Sequence, residues 1–152
     1  MKHNIKTSKI INEESDIQLK KITKSDYRFL YVLLSERNPQ ANISHKKMPT
    51  FAEHKKFILS KPYSKWYIIK FRNQNAGSVY LTKQNEVGIF IKNEFQNQGI
   101  GNLTLQLLFE KNPRSRYLAN VSPNNPESTE FFEKNGFKLI QYTYERIPPN
   151  LH

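Results

Sequence analysis

Residues 95–108 read FQNQGIGNLTLQLL, two glycines one residue apart between a polar turn and a leucine-rich run. A helix that begins at such glycines leaves its first N–H groups without partners, and the aligned peptide dipoles give them about half a positive charge. With no Cβ in the way, a phosphate can approach within hydrogen-bonding distance. Gln96, Asn97, Gln98, Gly99, Ile100 and Gly101 therefore make a plausible pyrophosphate cradle. A plain helix start would use the same residues. Two familiar phosphate motifs do not fit: a dinucleotide fingerprint needs a third glycine where Thr104 stands, and the Gly-Lys-Ser/Thr of a nucleoside-triphosphate loop is absent.

Other chemistries are bounded by composition. There is no cysteine, which removes disulfides, thiolate catalysis and cysteine-based zinc sites and fits a reducing cytoplasm. The four histidines show no metal-ligand spacing, so no metal is expected; His54 falls within a helix and reads as structural. No apolar run approaches the ~20 residues of a membrane span, and residues 1–16 lack the apolar region of a signal peptide. The net charge of +11 suits polyanionic ligands, but the lysines are scattered, as on a solvated surface. No basic helix or stacking motif points to nucleic acid.

The elements that must position these residues read as one domain over residues 16–147, after a loose leader (1–15) and before a short tail (148–152). Ile17, Leu19 and Lys21 alternate in a first strand. Thr23 with Asp26 and Thr50 with Glu53 have capping-box spacing, and open helices over 24–37 and 50–61. Strands are expected at 65–71, 76–82 and 86–92, joined by the short turns RNQN and KQN of an antiparallel meander. A helix over 99–112 carries Ile100, Leu103 and Leu107 on one stripe. A strand at 116–122 precedes a helix over 125–136, with an Asn125 cap, Pro126 at its first position and Gly136 past its end. A long strand at 137–147 closes the pattern.

Within this order a second motif appears. Asn125, Ser128, Phe132, Gly136 and Phe137 follow N-x-x-S-x-x-x-F-x-x-x-G-F downstream of the glycine pair. Together the two motifs make the chain resemble the GNAT superfamily of acyl-CoA N-acyltransferases over roughly residues 17–145. The resemblance implies an α/β (α+β) domain with a central mixed, mostly antiparallel sheet of six to seven strands flanked by about four helices. It implies acetyl-CoA as acyl donor, with its pyrophosphate on the N–H groups from Gln96 to Gly101. The strand at 86–92 would splay from that at 116–122 and lend backbone groups at Ile89 and Ile91 to the pantetheine arm. Asn125 matches the family's cofactor-contacting asparagine, although it is equally a helix cap; Ser128 and Phe132 belong to the same segment.

Transfer to nitrogen needs a neutral amine, and for an alkylamine of pKa near ~10.4 reaching it at pH 7 costs about 4–5 kcal/mol. A thiolate leaving group of pKa near ~8.5 costs only about 2 kcal/mol, so losing a base matters more than losing an acid. The family's usual acid, a tyrosine, aligns with Phe132, which has no proton to give. The glutamate used by the branch that acetylates ribosomal-protein N-termini aligns with Asn120. Glu86, at the start of its strand, is the first choice for a water-mediated base, against the alternative of a solvated strand end. His45 lies in a loop that borders the acceptor in this family; Tyr80 and Tyr142 are candidate replacement acids.

The expected activity is acetyl transfer from acetyl-CoA to a primary amine of a small molecule by direct attack in a ternary complex. Lys46, Lys47 and Lys65 among the aromatic residues of the first half suggest a nucleotide-linked amino sugar as acceptor. A protein or peptide amine ranks second, and a non-catalytic domain binding coenzyme A or nucleic acid third. The protein is expected to be cytoplasmic, off the membrane, and a monomer or homodimer.

Overall fold

A computed structural model describes residues 16–37 and 47–150. The described residues form four strands and four α-helices. The strands are β1 (Ile17–Lys21), β2 (Lys65–Phe71), β3 (Gln74–Leu81) and β4 (Val87–Ile91), and the helices α1 (Tyr27–Ser35), α2 (Phe51–Leu59), α3 (Ile100–Lys111) and α4 (Pro126–Lys134). The strands make one antiparallel sheet in the order β1-β2-β3-β4.

Alternation along the strands sorts side chains onto two faces. Ile17, Leu19, Tyr67, Ile69, Phe71, Val79, Leu81 and Val87 form the main core with Ile100, Leu105 and Leu108 of α3 and Phe132 of α4. The opposite face is covered by α1 and α2, where Leu30, Ile58 and Ile68 form a smaller core beside Trp66. Deep burial on α3 falls on Ile100, Thr104, Leu105 and Leu108, while Leu103 and Leu107 are half-buried against it.

The capping-box spacings act as expected. Asp26 Oδ2 accepts from the Thr23 N–H at 2.7 Å, although the first turn there is 3-10 and α1 proper begins at Tyr27. Thr50 Oγ1 accepts from the Glu53 N–H at 3.1 Å, and Glu53 Oε1 accepts from the Thr50 N–H at 2.8 Å. The β2–β3 turn is tighter than RNQN suggests: Arg72 and Asn73 alone make it, with φ of 48° and 66°. Two consecutive positive φ values match the right-handed twist of a hairpin, and Gln74 and Asn75 join β3.

Two expected strands are absent, so the sheet has four strands rather than six to seven. Residues 116–122 touch the sheet through a single parallel bridge between Glu86 and Leu118. The Val87 N–H donates to the Leu118 carbonyl at 2.7 Å and the Leu118 N–H to the Asn85 carbonyl at 2.8 Å, after which the ladder stops. Residues 137–147 make no ladder, and Leu139, Ile140, Tyr142, Tyr144 and Ile147 are exposed. Alternating apolar residues favour an extended chain, but a strand also needs an edge to pair with. The neighbouring segment, 116–122, makes no ladder of its own.

Candidate active site

The end of the ladder after Leu118 leaves one side of β4 open. Thr82 donates its N–H to the Glu86 carbonyl and Lys92 to the Ala76 carbonyl, so the even-numbered residues here point their backbone groups at β3. The odd-numbered ones, Ile89 and Ile91, point theirs outward. The Ile91 carbonyl accepts from Gln96 Nε2 at 2.9 Å, while Ile89 has no such partner. A slot of roughly 790 Å³ runs along this edge, bounded on its far side by Asn120, Val121 and Ser122.

One end of the slot is the start of α3. Gly99 is its N-cap at φ 81°, and no side chain caps the helix. Asn97 before it is also left-handed, at φ 63°. The N–H groups of Ile100, Gly101 and Asn102 therefore stand open to the slot, all three residues lining it. The two glycines have different tasks. Gly99 supplies the left-handed turn. Gly101 admits a ring: a Cβ there would lie 2.7 Å from Cε1 of Phe131, which reaches over from α4. Asn135 Nδ2 donates to Asn102 Oδ1 at 2.9 Å and adds a second tie between these helices.

Asn125 caps α4. Its Oδ1 accepts from the Ser128 N–H at 3.3 Å and its Nδ2 donates to Ser128 Oγ at 2.9 Å, so one amide hydrogen is left to face the slot. Phe132 is buried, and packs edge-on against Phe131 and Phe137. Of the sequence-derived cofactor residues, Ile89, Ile91, Gln96, Asn97, Gly99, Ile100, Gly101, Asn125, Ser128 and Phe132 line the slot. Gln98 does not; its Nε2 is 3.4 Å from the Glu94 carbonyl.

The other end lies on the α1–α2 face, with Glu36 and Arg37 from the end of α1, and Tyr80, Thr82, Glu86 and Gly88. Glu86 is held by two donors: Thr82 Oγ1 at 3.1 Å on Oε1 and Asn120 Nδ2 at 2.7 Å on Oε2. Sequence reasoning finds Glu86 and Asn120 separately and misses that they are partners; no local signal joins residues 34 positions apart. Tyr80 also lines the slot. Tyr142 does not, being 76% exposed on the C-terminal segment, and His45 lies outside the described residues. No group of acidic or histidine residues able to hold a metal occurs among the described residues. Among them, no helix is long and apolar enough to cross a membrane.

An open-edged strand beside an uncapped helix start is a suitable bed for an extended, phosphate-ended ligand. The family profile for the acetyltransferase (GNAT) domain matches residues 62–139, which span β2 to the end of α4 and every slot-lining residue except Glu36 and Arg37. The chain belongs to the GNAT acetyltransferase family. It is thereby an acyl-CoA-dependent N-acetyltransferase, and the domain resembles several solved structures. A domain from Methanocaldococcus jannaschii aligns with a TM-score of 0.73 and 26% identity, over 85% of this chain and 92% of that one. A ribosomal L7/L12 alpha-N-protein acetyltransferase in complex with coenzyme A aligns at 0.67 and 22%, over 84% and 82%. Spermidine N-acetyltransferase from Vibrio cholerae, in complex with coenzyme A and spermine, aligns at 0.70 and 21%, over 90% and 89%. No curated protein matches the sequence.

Proposed function

We propose that this acetyltransferase moves an acetyl group from acetyl-CoA to the primary amine of a small molecule, by direct attack with both substrates bound. The observation that carries the reading is the path of the slot. It runs from the open N–H groups of α3 on one face of the sheet, past the unpaired edge of β4, to Glu86 on the other face. The α3 N–H groups would hold the pyrophosphate, with no lysine or arginine needed for the purpose. The outward backbone groups of Ile89 would hold the pantetheine amide. Acetyl-CoA supplies an acyl carbon activated by a thiol leaving group.

Glu86 takes the proton of the acceptor nitrogen, directly or through one water. Thr82 Oγ1 and Asn120 Nδ2 each donate to one of its carboxylate oxygens, which fixes its direction. Phe132 has no proton to offer the departing sulfur. A thiol of ordinary acidity leaves at a cost of about 2 kcal/mol at neutral pH, so no side-chain acid is required there.

Charge around the slot bears on the acceptor. In a protein of net charge +11, the acceptor end of the slot is lined by two carboxylates, Glu36 and Glu86, against Arg37, while Glu127, Glu130 and Lys134 of α4 line the end by α3. Lys47 and Lys65 are not among its lining residues, and the rings of Tyr63, Trp66 and Tyr80 pack on one another. An amine bearing further positive charge fits this wall better than a nucleotide-linked amino sugar. Thiol release from acetyl-CoA, compared over spermidine, glucosamine 6-phosphate, lysine and a lysyl peptide, tests both levels. Turnover with spermidine or lysine ahead of the phosphorylated sugar is expected. No thiol release with any of them, and no thermal stabilisation by coenzyme A, would sink the activity itself.

A further inference from the structure

The rings at the far end of the slot are packed in a way that the proton path through Glu86 leaves unused. Tyr80 stands on the α1–α2 face of β3, in register with Gly88 of β4. A Cβ on Gly88 would overlap the Tyr80 ring and its hydroxyl oxygen, so the ring lies flat across bare backbone and reaches over β4 toward the slot it lines. Tyr63 covers the other side, with ring centroids 3.8 Å apart and planes within 2°. Trp66 meets Tyr63 edge-on at 4.7 Å and Tyr80 at 6.4 Å, and its indole N–H is fixed on Ser78 Oγ at 2.8 Å.

Both faces of the Tyr80 ring are therefore occupied, and its hydroxyl cannot swing away. Burial, and then the Tyr80 phenol beside it, push the Tyr63 phenol far above the usual range, with Arg37 opposing, so Tyr63 stays neutral. Alternation puts Glu86 on the same face as Gly88, two residues or ~6.6 Å away along the strand. Hydroxyl and carboxylate thus flank one short stretch of open edge. Phe132, at the position of the family's usual acid, lies on the opposite face with α3 and α4.

We propose that Tyr80 is a catalytic residue of the acceptor side: its hydroxyl oxygen, seated over Gly88 by the Tyr63 stack, accepts a hydrogen bond from the attacking nitrogen and aims it at the thioester. This rests on the acetyl-transfer reading above. The nitrogen lone pair forms the N–C bond and the C–S bond breaks, its electron pair leaving with sulfur. One N–H proton passes to Glu86 and on to solvent, and the thiolate takes a proton from water. Tyr80 neither gains nor loses a proton over the cycle.

The test uses Tyr80→Phe, which keeps the ring sandwich and removes only the oxygen, with spermidine and lysine as acceptors. An acceptor KM raised and a kcat lowered by about tenfold each are expected, with KM for acetyl-CoA and the thermal shift given by coenzyme A unchanged. Calorimetric titration of spermidine into the coenzyme A-saturated protein should show a matching loss of affinity. Gly88→Ala, which displaces the ring but keeps the hydroxyl, should reproduce the acceptor defect and also alter the near-ultraviolet circular dichroism that the stacked rings produce. Unchanged acceptor KM, kcat and affinity in Tyr80→Phe would overturn the proposal. So would a defect confined to coenzyme A binding, which would move Tyr80 to the donor side. Failure of the underlying reading looks different: the wild-type protein itself would release no thiol and gain no stability from coenzyme A.

Discussion

The helices α2 and α4 begin closed, whereas α3 begins open. At α2, Thr50 and Glu53 satisfy each other's backbone N–H groups, and at α4 the Asn125 side chain takes the Ser128 N–H. At α3 there is only Gly99, with no side chain to turn inward. The same unpaired donors and the same dipole exist at every helix start. What differs is whether the chain consumes them or presents them to the slot. A closed start serves the fold, and an open one is available to a ligand.

The contrast breaks most severely at Gly101. Gly101→Val should strike the Phe131 ring and crowd the open N–H groups, weakening coenzyme A binding on the order of 100-fold, as loss of several charge-assisted hydrogen bonds implies. Overpacking should cost roughly 1–3 kcal/mol of stability, read from denaturant unfolding. Pairing Gly101→Ala with Phe131→Ala should recover most of the stability if the ring is what Gly101 accommodates.

Next comes Gly99→Asp, which converts the open start toward a closed one. Its carboxylate would compete for the N–H groups and repel phosphate, so coenzyme A affinity by calorimetry should fall by about tenfold or more. An affinity that stays put would mean that the α3 start is not the phosphate site.

Smaller effects belong to the closed starts. Thr50→Ala and Asn125→Ala should each cost about 1 kcal/mol of unfolding free energy. Thr50→Ala should leave coenzyme A binding untouched, whereas Asn125→Ala, at the slot, should weaken it as well. A single measured pair of binding curves separates a purely structural cap from one that also meets the ligand.

The smallest expected effect is a pH dependence inside the first turn of α2. His54 is 7% exposed against Tyr31 and Phe57, and burial pulls its imidazole below the usual range. The unfolded chain takes up a proton near pH ~6.5 that the folded one refuses. Stability is therefore full above that pH and declines as the pH falls toward the depressed folded value. Thermal midpoints from about pH 8 to about pH 5 should show this decline, and His54→Phe should flatten it.

Much of the fold and part of the site are legible in the sequence. The caps at Thr50 and Asn125, the left-handed Gly99 and Gly136, and the alternation of β1 to β4 depend on residues a few positions apart. The uncapped start of α3 is readable because a glycine pair before an apolar stripe is itself a local pattern. That Lys47 and Lys65 stand away from the slot is not legible, because composition counts lysines and rings without showing which way they face. The two absent strands escape sequence reasoning because LANVS and KLIQYTYERI carry the right residues for extended chain, while pairing depends on an edge elsewhere.

By itself the sequence determined the starts of α2, α3 and α4 to within a residue, the four strands that do pair, and the family. Tertiary structure alone decided that Asn120 holds Glu86, that Gly101 is bare for Phe131, and that Gly88 is bare for Tyr80. The physical reason is range. Dihedral preference and capping act within a turn of chain, whereas a hydrogen bond or a ring seated on a glycine is set by where distant segments come to rest. The open edge of β4 is of the second kind: it exists because residues 116–122 part from it after one bridge.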